Sequence, residues 1–231
     1  MFDDPRIRQR YAPRAELRHT LHQRPAADWL SDSECAALSR LRHPERREAW
    51  LAGRLLSKQL MAAENGLPAS DYRSIEICSV DVRGKGTRPI VSVGGHIRDW
   101  SLSISHSETA VFVALSMMPD LRVGVDLTPI QEYRPGFLNT WFTADERQQV
   151  QAAGSRRAIE VWAVKEAVYK ASNTGETFAP RRIEVRAESQ DRFFCRYDGN
   201  SSRMPLTIRV KDAVRDIAAI AITQPQEKHD D

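Results

Sequence analysis

The segment from Ser155 to Ser172 constrains the fold more than any other part of this chain, because its apolar residues recur with the period of an α-helix. The apolar stripe, which indicates a core-facing side, consists of Val161, Val164, Val168 and Ala171. Residues four apart share one face of a helix, so Trp162, Glu166 and Lys170 form a second, mixed stripe. The sequence therefore predicts a helix that holds an acid and a base in a fixed direction.

A second acid, Asp126, stands in a predicted strand. Alternate residues of a strand point to the same face, so Asp126 and Thr128 emerge together. An unpaired acid is costly inside a strand, so either a basic residue or a cation neutralises it. The carboxylates of Asp126 and Glu166, with the Thr128 hydroxyl and water, suit Mg²⁺ bound to substrate phosphates, which Lys170 would also face. Alternatively, Glu166 and Lys170 form an ordinary ion pair on a solvated face, worth about 0.2–0.5 kcal/mol.

Five segments together resemble the motifs of the 4′-phosphopantetheinyl transferases, of the long, two-lobed, surfactin-synthetase-activating type. In chain order they are Gly86 to Pro89, Ser103 to Ser107, Gly124 to Thr128, Phe142 to Glu146 and Trp162 to Lys170, with the segment Trp50 to Arg54 ahead of them. Their order is that of the family, and the resemblance covers about residues 40 to 175.

The resemblance implies an α+β fold with two pseudo-symmetric lobes, residues 1–118 and 119–231. It implies transfer of the 4′-phosphopantetheine arm of coenzyme A to a serine of an acyl or peptidyl carrier protein, with release of adenosine 3′,5′-bisphosphate. Asp126, Glu166 and Thr128 would hold Mg²⁺ in the C-terminal lobe. The implied catalytic residues are Asp126, Glu166 and Lys170: Lys170 stabilises the departing phosphate, and Glu166 or a bound water accepts the serine proton.

The N-terminal lobe would bind the 3′-phosphate and adenine of coenzyme A. The implied contacts are Arg47, Arg54, Arg88, Pro89, Ser105 and His106, together with Lys170. Without the resemblance, the arginines of the helix that includes Arg46, Arg47 and Arg54 indicate a solvated basic face, and Gly84 and Gly86 indicate a turn. His106 by itself indicates a satisfied polar group at a strand end, and Glu146 the capping-box partner of Thr143.

Two positions depart from the family pattern. Thr128 stands where the family usually has a glutamate that completes three acidic metal ligands, and Arg88 replaces the usual lysine. Arginine keeps the charge and changes the geometry. Thr128 leaves open a second hypothesis, a non-catalytic relative that binds coenzyme A or a carrier domain without transferring anything.

Composition favours a globular chain without a membrane span, because 41% of the residues are apolar, 28% are charged and no apolar run is long enough to cross a bilayer. The N-terminus has no apolar signal-peptide core. Cys35, Cys78 and Cys195 are odd in number and far apart, which favours structural thiols in a reducing cytoplasm. The resemblance implies a monomer.

Arginines crowd the N-terminal segment, at positions Arg6, Arg8, Arg10, Arg14, Arg18 and Arg24. A third hypothesis is nucleic-acid binding through this segment, which predicts steep salt dependence. No nucleic-acid-binding motif accompanies it and few aromatic residues interleave, so nucleic acid is the disfavoured partner. We expect a solvated surface, or one that faces an acidic carrier protein.

Local patterns predict the remaining elements. Helices are predicted at Ser31 to Arg42, Pro44 to Glu64, Ala144 to Ala153 and Ser155 to Ser172, and strands at Ser74 to Val82, Pro89 to Val93, Trp100 to Ser105, Ala110 to Ser116, Arg122 to Thr128 and within Arg182 to Thr223. Ser31 and Glu34 form the capping box of the first helix. The polar segment Gln224 to Asp231 is expected to fray.

Overall fold

The computed structural model describes residues 1–80, 86–172, 177–198 and 203–223. The chain divides into two compact units, Asp3–Met118 (the first unit) and Pro119–Asp231 (the second unit). Each unit combines helices with antiparallel strands, which confirms the predicted α+β class. None of the helices in the described ranges combines the length and the apolar character that crossing a bilayer requires.

The first unit begins with a strand and a group of helices and ends with strands. Its elements are β1 (Arg8–Pro13), α1 (Arg14–Gln23), α2 (Asp32–Ser39), α3 (Pro44–Glu64), β2 (Ile75–Val80), β3 (Gly86–Val93), β4 (His96–Arg98), β5 (Ser101–His106) and β6 (Ala110–Ser116). The described strands form two three-stranded antiparallel sheets, in the orders β1-β6-β5 and β2-β3-β4. The buried side of α3 packs on them around Leu56 and Met61, both fully buried.

The second unit has a similar order of elements: a strand comes first, then helices, then further strands. Its elements are β7 (Val123–Pro129), α4 (Pro135–Trp141), α5 (Ala144–Ala153), α6 (Ser155–Ser172), β8 (Ile183–Ala187), β9 (Arg192–Tyr197), β10 (Leu206–Ala213) and β11 (Asp216–Thr223). The described strands form one sheet in the order β7-β11-β10-β9-β8. In both units the first strand pairs with the last strand, and the last strand pairs with the one before it.

Both units also repeat one buried ion pair. The capping-box glutamate of α2, Glu34, lies 2.6 Å from Lys58 of α3, and the capping-box glutamate of α5, Glu146, lies 2.9 Å from Lys165 of α6. Each glutamate also accepts a hydrogen bond from the main chain of an edge strand, at Ile77 in β2 and at Val185 in β8. The predicted capping role of Glu146 is confirmed, and its carboxylate in addition fixes α6 against β8.

Most of the predicted elements are confirmed. Helix α3, helices α5 and α6, and strand β6 have the predicted bounds. Helix α2 ends at Ser39 rather than Arg42. The predicted turn at Gly84, the end of the strand predicted to Val82, and the fray expected for 224–231 lie outside the described residues.

The N-terminal segment is exposed at most of its arginines, as expected for a solvated surface: Arg6, Arg8, Arg10 and Arg18 are exposed, and Arg14 and Arg24 are half-buried. The segment forms β1 and α1, which the sequence analysis missed, and its Leu17 belongs to the core of the first unit. Several arginines form ion pairs within the unit: Arg8 with Glu64 at 2.8 Å, and Arg14 and Arg18 with Glu48 at 2.9 and 2.8 Å. The positive charges of these arginines neutralise glutamates of α3, because α3 packs against both β1 and α1.

Candidate active site in the second unit

Close packing of α6 against β7 positions the candidate site. A Cβ atom placed on Gly124 of β7 would lie 1.9 Å from the carbonyl oxygen of Ala167 in α6, so only glycine fits there. The two residues beyond Gly124 on the same face of the strand are Asp126 and Thr128, and the residues around Ala167 include Glu166. The glycine therefore lets the helix bring its acid and base beside the acid of the strand.

The direction of α6 is fixed by its buried face. Its apolar stripe is completely buried, as predicted, at Val161, Val164, Val168 and Ala171. Lys165 is also fully buried: besides Glu146, its ammonium group donates to the carbonyls of Pro180 and Ile183, at 2.7 and 2.6 Å. Burial lowers the pKa of Lys165, and the attraction of Glu146 opposes that change.

Asp126, Thr128, Glu166 and Lys170 come together at the junction of β7 and α6. The ammonium group of Lys170 lies 2.8 Å from Oδ1 of Asp126 and donates to the carbonyl of Val125 at 3.1 Å. Thr128 Oγ1 donates to Oδ2 of Asp126 at 2.7 Å. The strand acid is thus paired with a base, Lys170.

Glu166 is held more loosely than Asp126. Its carboxylate lies 4.0 Å from the Lys170 ammonium group, and a quarter of its side chain is exposed, at 25%. Burial raises the pKa of Glu166, the Lys170 charge lowers it, and the nearby negative charge of Asp126 raises it further. The ion pair between Glu166 and Lys170, which the sequence offered as the alternative to a metal site, is therefore long. The surroundings raise the pKa of Glu166 and so disfavour its charged form.

The sequence analysis missed an aromatic wall beside these carboxylates. The ring of Tyr133 stacks on Phe137 with centroids 4.4 Å apart, and Phe137 meets Trp162 edge-on at 4.8 Å. Burial, and also the charges of Asp126 and Glu166, raise the pKa of Tyr133 to about 12. Tyr133 thus stays a neutral phenol near the acids. The spacing of Tyr133 and Phe137, four residues apart before and within α4, is the signal that could have indicated a shared face.

The donor set fits a hard divalent cation with few protein ligands. Within the described residues, no group of three or more histidine, cysteine, aspartate or glutamate side chains is arranged to hold a metal ion. Two carboxylates are present, and burial, together with the negative charge of Asp126, raises the pKa of Glu166. Mg²⁺ keeps several waters and is often bound by one or two carboxylates plus substrate phosphates, so Asp126 and Glu166 suffice chemically.

Of the seven positions predicted to contact coenzyme A, Lys170 belongs to α6, and the other six lie in the first unit, on three elements. Arg47 and Arg54 belong to α3, Arg88 and Pro89 to β3, and Ser105 and His106 to the end of β5. Arg47 is exposed and donates to the carbonyl of Leu38 at 3.0 Å, and His106 is exposed. Arg88 and Pro89 are half-buried, and Ser105 is buried.

Arg54 does not lie on a solvated face, which corrects that interpretation of the helix. Its side chain is only 5% exposed and donates to Ser79 Oγ at 2.6 Å. Its guanidinium also lies 3.6 Å from Glu34 and 4.6 Å from the ring centroid of Trp50. Burial lowers the pKa of Arg54 to about 10, although the charge of Glu34 opposes the change. The arginine therefore contributes to the interior of the first unit.

The three cysteines, all within the described residues, are free thiols. Cys195 is buried, Cys35 is half-buried and Cys78 is exposed. Burial raises the pKa of Cys195, which is the opposite of what a cysteine nucleophile needs.

Comparison with known protein families matches residues 122–223 to the 4′-phosphopantetheinyl transferase superfamily. The matched region contains β7, α6 and the whole cluster of Asp126, Thr128, Glu166 and Lys170. Comparison with curated proteins finds no match. The family similarity thus falls on the part of the chain where the acids and the base come together.

Proposed function

Because residues 122–223 belong to the 4′-phosphopantetheinyl transferase superfamily, we propose that this protein transfers the 4′-phosphopantetheine arm of coenzyme A to a serine of an acyl or peptidyl carrier protein. The observation that carries the proposal is the contact between the Lys170 ammonium group and Asp126, with Glu166 on the same helix face as Lys170. A lysine ammonium group beside two carboxylates is suited to bind a substrate that carries a charged pyrophosphate.

The proposed reaction is a displacement at the β-phosphorus of coenzyme A. The serine oxygen forms a bond to the β-phosphorus of coenzyme A, and the bond from that phosphorus to the bridging oxygen breaks. The electron pair leaves with adenosine 3′,5′-bisphosphate, and the serine proton passes to a base. Catalysis of this kind consists mainly of positioning and electrostatic stabilisation.

The roles we propose for the residues follow from their chemistry. Lys170, a quarter exposed at 27%, stabilises the phosphate that departs. Glu166 or a bound water accepts the serine proton. Asp126 and Glu166, with Thr128 acting through Asp126, would hold Mg²⁺. When bound, this ion supplies positive charge at the pyrophosphate.

We further propose that the first unit contributes contacts to coenzyme A. Arg47, Arg88 and His106 would supply positive charge or hydrogen bonds to the 3′-phosphate, which carries about −1.5 to −2 charges as a monoester. The buried Arg54, whose guanidinium is bonded to Ser79, is not assigned to this role. Ser105 would add a hydroxyl donor, and Pro89 would border the adenine. Arg47 and His106 are the sharpest tests of this part, because both residues are exposed.

The test is intact-mass spectrometry of an apo carrier protein incubated with this protein and coenzyme A, with Mg²⁺ or with a chelator. We expect a Mg²⁺-dependent mass gain of about 340 Da, the mass of one phosphopantetheine arm attached to serine. Absence of any gain on several acyl and peptidyl carrier proteins, at protein concentrations that bind coenzyme A, would reject the transferase activity.

A second candidate function, a non-catalytic relative that binds coenzyme A or a carrier domain, is favoured by one observation. Thr128 offers a hydroxyl that donates to Asp126, so it adds no negative charge to the cluster, and Lys170 already neutralises Asp126. Calorimetry of coenzyme A binding discriminates the two functions. Binding that is unchanged by Mg²⁺ and unaccompanied by transfer supports the non-catalytic relative, and Mg²⁺-enhanced binding supports the transferase.

A further inference from the structure

The outer edges of strands β2 and β8 have different hydrogen-bond partners, although a capping-box glutamate, Glu34 or Glu146, bonds to each strand. In the second unit, the side-chain amide of Gln149 in α5 lies along the outer edge of β8. Its Nε2 donates to the carbonyl of Val185 at 2.9 Å, and its Oε1 accepts from the amide of Ala187 at 3.3 Å. One carboxamide thus satisfies two polar groups of an edge strand, as a residue of an added strand would.

The described part of the first unit has no side chain in the corresponding position. Glu34 and Glu146 occupy the same capping-box position of α2 and α5 and bond to Ile77 and Val185 respectively. Three residues beyond Glu146 is Gln149, whereas three residues beyond Glu34 is Ala37. A methyl group cannot form hydrogen bonds. Among the described residues, no side chain bonds to the carbonyl of Ile77 or to the amide of Ser79. Counted from Ile77, these groups are at the same positions as those that Gln149 holds counted from Val185, although the pairing of β2 with β3 shifts register at Ser79.

A cavity of about 280 Å³ occupies this place. Its walls include Ala36, Ala37, Trp50, Arg54, Ile77 and Ser79. The Arg54 side chain is more than nine-tenths buried, and its Nε has no hydrogen-bond partner in the described structure. The cavity therefore combines apolar surface with one buried polar atom, Arg54 Nε, that has no hydrogen-bond partner in the described structure, and its volume is just below the usual range for a ligand site.

We infer that this cavity binds a ligand through a primary carboxamide, from an asparagine or glutamine side chain or from a small molecule. The amide N–H donates to the carbonyl of Ile77, and the amide oxygen accepts from the main-chain N–H of Ser79. The second unit supplies the precedent, since Gln149 makes the same pair of bonds to β8. This site is separate from the cluster around Asp126 and does not rest on the transferase activity.

The charges around the cavity favour a neutral amide over a carboxylate. Glu34 and Glu76 line the cavity with Arg40 and Arg54, so acids and bases are balanced there. Glu34 already lies 3.6 Å from Arg54 and 2.6 Å from Lys58. A carboxylate would add a charge and would offer no donor to Ile77, which leaves a carbonyl unsatisfied.

The first test is NMR titration of the full chain with N-acetylglutamine methylamide and, separately, with N-acetylglutamate methylamide. We expect the glutamine probe to shift the amide resonances of Ile77 and Ser79 with millimolar affinity, typical of a fragment this small. We expect at least about tenfold weaker binding of the glutamate probe. Equal binding of the two probes, no shift with the glutamine probe, or displacement of it by adenosine 3′,5′-bisphosphate would each overturn the inference.

A second test places the missing carboxamide in the chain itself. Ala37→Gln should fill the cavity as Gln149 does, so it should abolish the shifts caused by the glutamine probe. It should also slow hydrogen exchange of the Ser79 amide by about tenfold, because a hydrogen bond now protects that group. The matched control, Gln149→Ala, should speed exchange of the Ala187 amide instead. Persistent probe binding in Ala37→Gln, or unchanged exchange at Ser79, would contradict the assignment.

Discussion

At the scale of single residues, the contact between Asp126 and Lys170 decides how the candidate site is organised. Lys170 neutralises the acid that the strand would otherwise bury unpaired, while Thr128 occupies its other oxygen. Glu166 receives less compensation, and burial raises its pKa. The carboxylate of Asp126 is thus held by two hydrogen-bond partners, whereas that of Glu166 is held more loosely.

The first prediction concerns activity. Asp126→Ala and Glu166→Gln should each lower phosphopantetheine transfer by at least about a hundredfold, as expected when a group that stabilises developing charge is removed. Rates of carrier-protein modification measure the effect, with circular dichroism as the check that the fold persists. Asp212→Asn is the matched control, because Asp212 is an exposed acid of the same unit, with 65% of its side chain accessible. Wild-type rates in either site variant would remove the residue from the mechanism.

The second prediction concerns stability and pH. The folded-state pKa of Glu166 is raised, so folding favours its protonated form. Its contribution to stability is therefore complete below the unfolded-state pKa and is lost as pH rises through the folded-state pKa. Glu166→Gln, which stays neutral, should have a higher melting temperature than the wild type at pH 7. The difference should shrink towards pH 4. Thermal melts across this range test it, and a less stable variant at pH 7 would contradict the sign.

At the scale of elements, the site depends on how closely α6 approaches β7. The acid and the base belong to different elements, and no side chain can correct a helix that lies too far from its strand. Gly124 permits the approach, and the Glu146–Lys165 pair fixes α6 from its other side. These residues position the site without contacting a substrate.

The third prediction follows from Gly124. In Gly124→Ala, the new Cβ would lie 1.9 Å from the carbonyl oxygen of Ala167 and 2.5 Å from the amide nitrogen of Ala171, so α6 must move away. We expect a loss of unfolding free energy of about 1–3 kcal/mol or more and a parallel loss of transfer. Gly136→Ala is the control, since nothing lies within 4 Å of its Cβ and the residue is in α4. Denaturant titrations compare the two, and equal stabilities would refute the packing argument.

The fourth prediction tests the buried ion pair. Lys165→Met leaves the Glu146 carboxylate buried without its cation, which should cost about 3–5 kcal/mol of unfolding free energy. Arg186→Met, which breaks exposed ion pairs with Asp145 and Glu184, should cost about 1 kcal/mol or less. Urea denaturation measures both. A Lys165 variant no less stable than the Arg186 variant would show that the buried pair does not hold α6.

At the scale of the whole molecule, each unit has its own core and its own version of the same plan. Only the second unit places two acids and a lysine at the junction of its first strand and its longest helix. At the corresponding register of β1, where Pro13 pairs with Ala110 as Pro129 pairs with Asp216, the residue that corresponds to Asp126 is Arg10. The similar order of elements in the two units therefore does not imply that both units carry a cluster like the one around Asp126.

The fifth prediction concerns the N-terminal segment. Deletion of residues 1–24 removes β1, which pairs with β6 along its whole length, and the buried Leu17 of α1. We expect a marked fall in melting temperature, because an edge strand and part of the first core are lost. A double variant, Arg10→Gln with Arg18→Gln, removes two positive charges at exposed positions and should remain folded. Nucleic-acid affinity that falls with salt in the wild type and is absent from the double variant would revive the nucleic-acid hypothesis.

The sequence by itself determined the elements with strong local signals. The apolar stripe of α6, the capping boxes at Ser31 and Thr143, and Pro44 at the start of α3 depend on residues within a few positions of one another. The same locality brought Asp126 and Thr128 to one face of a strand. Five short motifs in order were enough to indicate the family, and comparison supports it over residues 122–223.

Only the tertiary structure decided which partner each charged residue has. Asp126 and Lys170 are 44 positions apart, Glu34 and Lys58 are 24 apart, and Arg18 and Glu48 are 30 apart. No local pattern distinguishes a solvated arginine such as Arg47 from the buried Arg54 on the same helix, because the difference depends on what packs against each face. The sequence fixes which groups are available, and the close approach of elements distant along the chain determines which of them lose water and must find a partner.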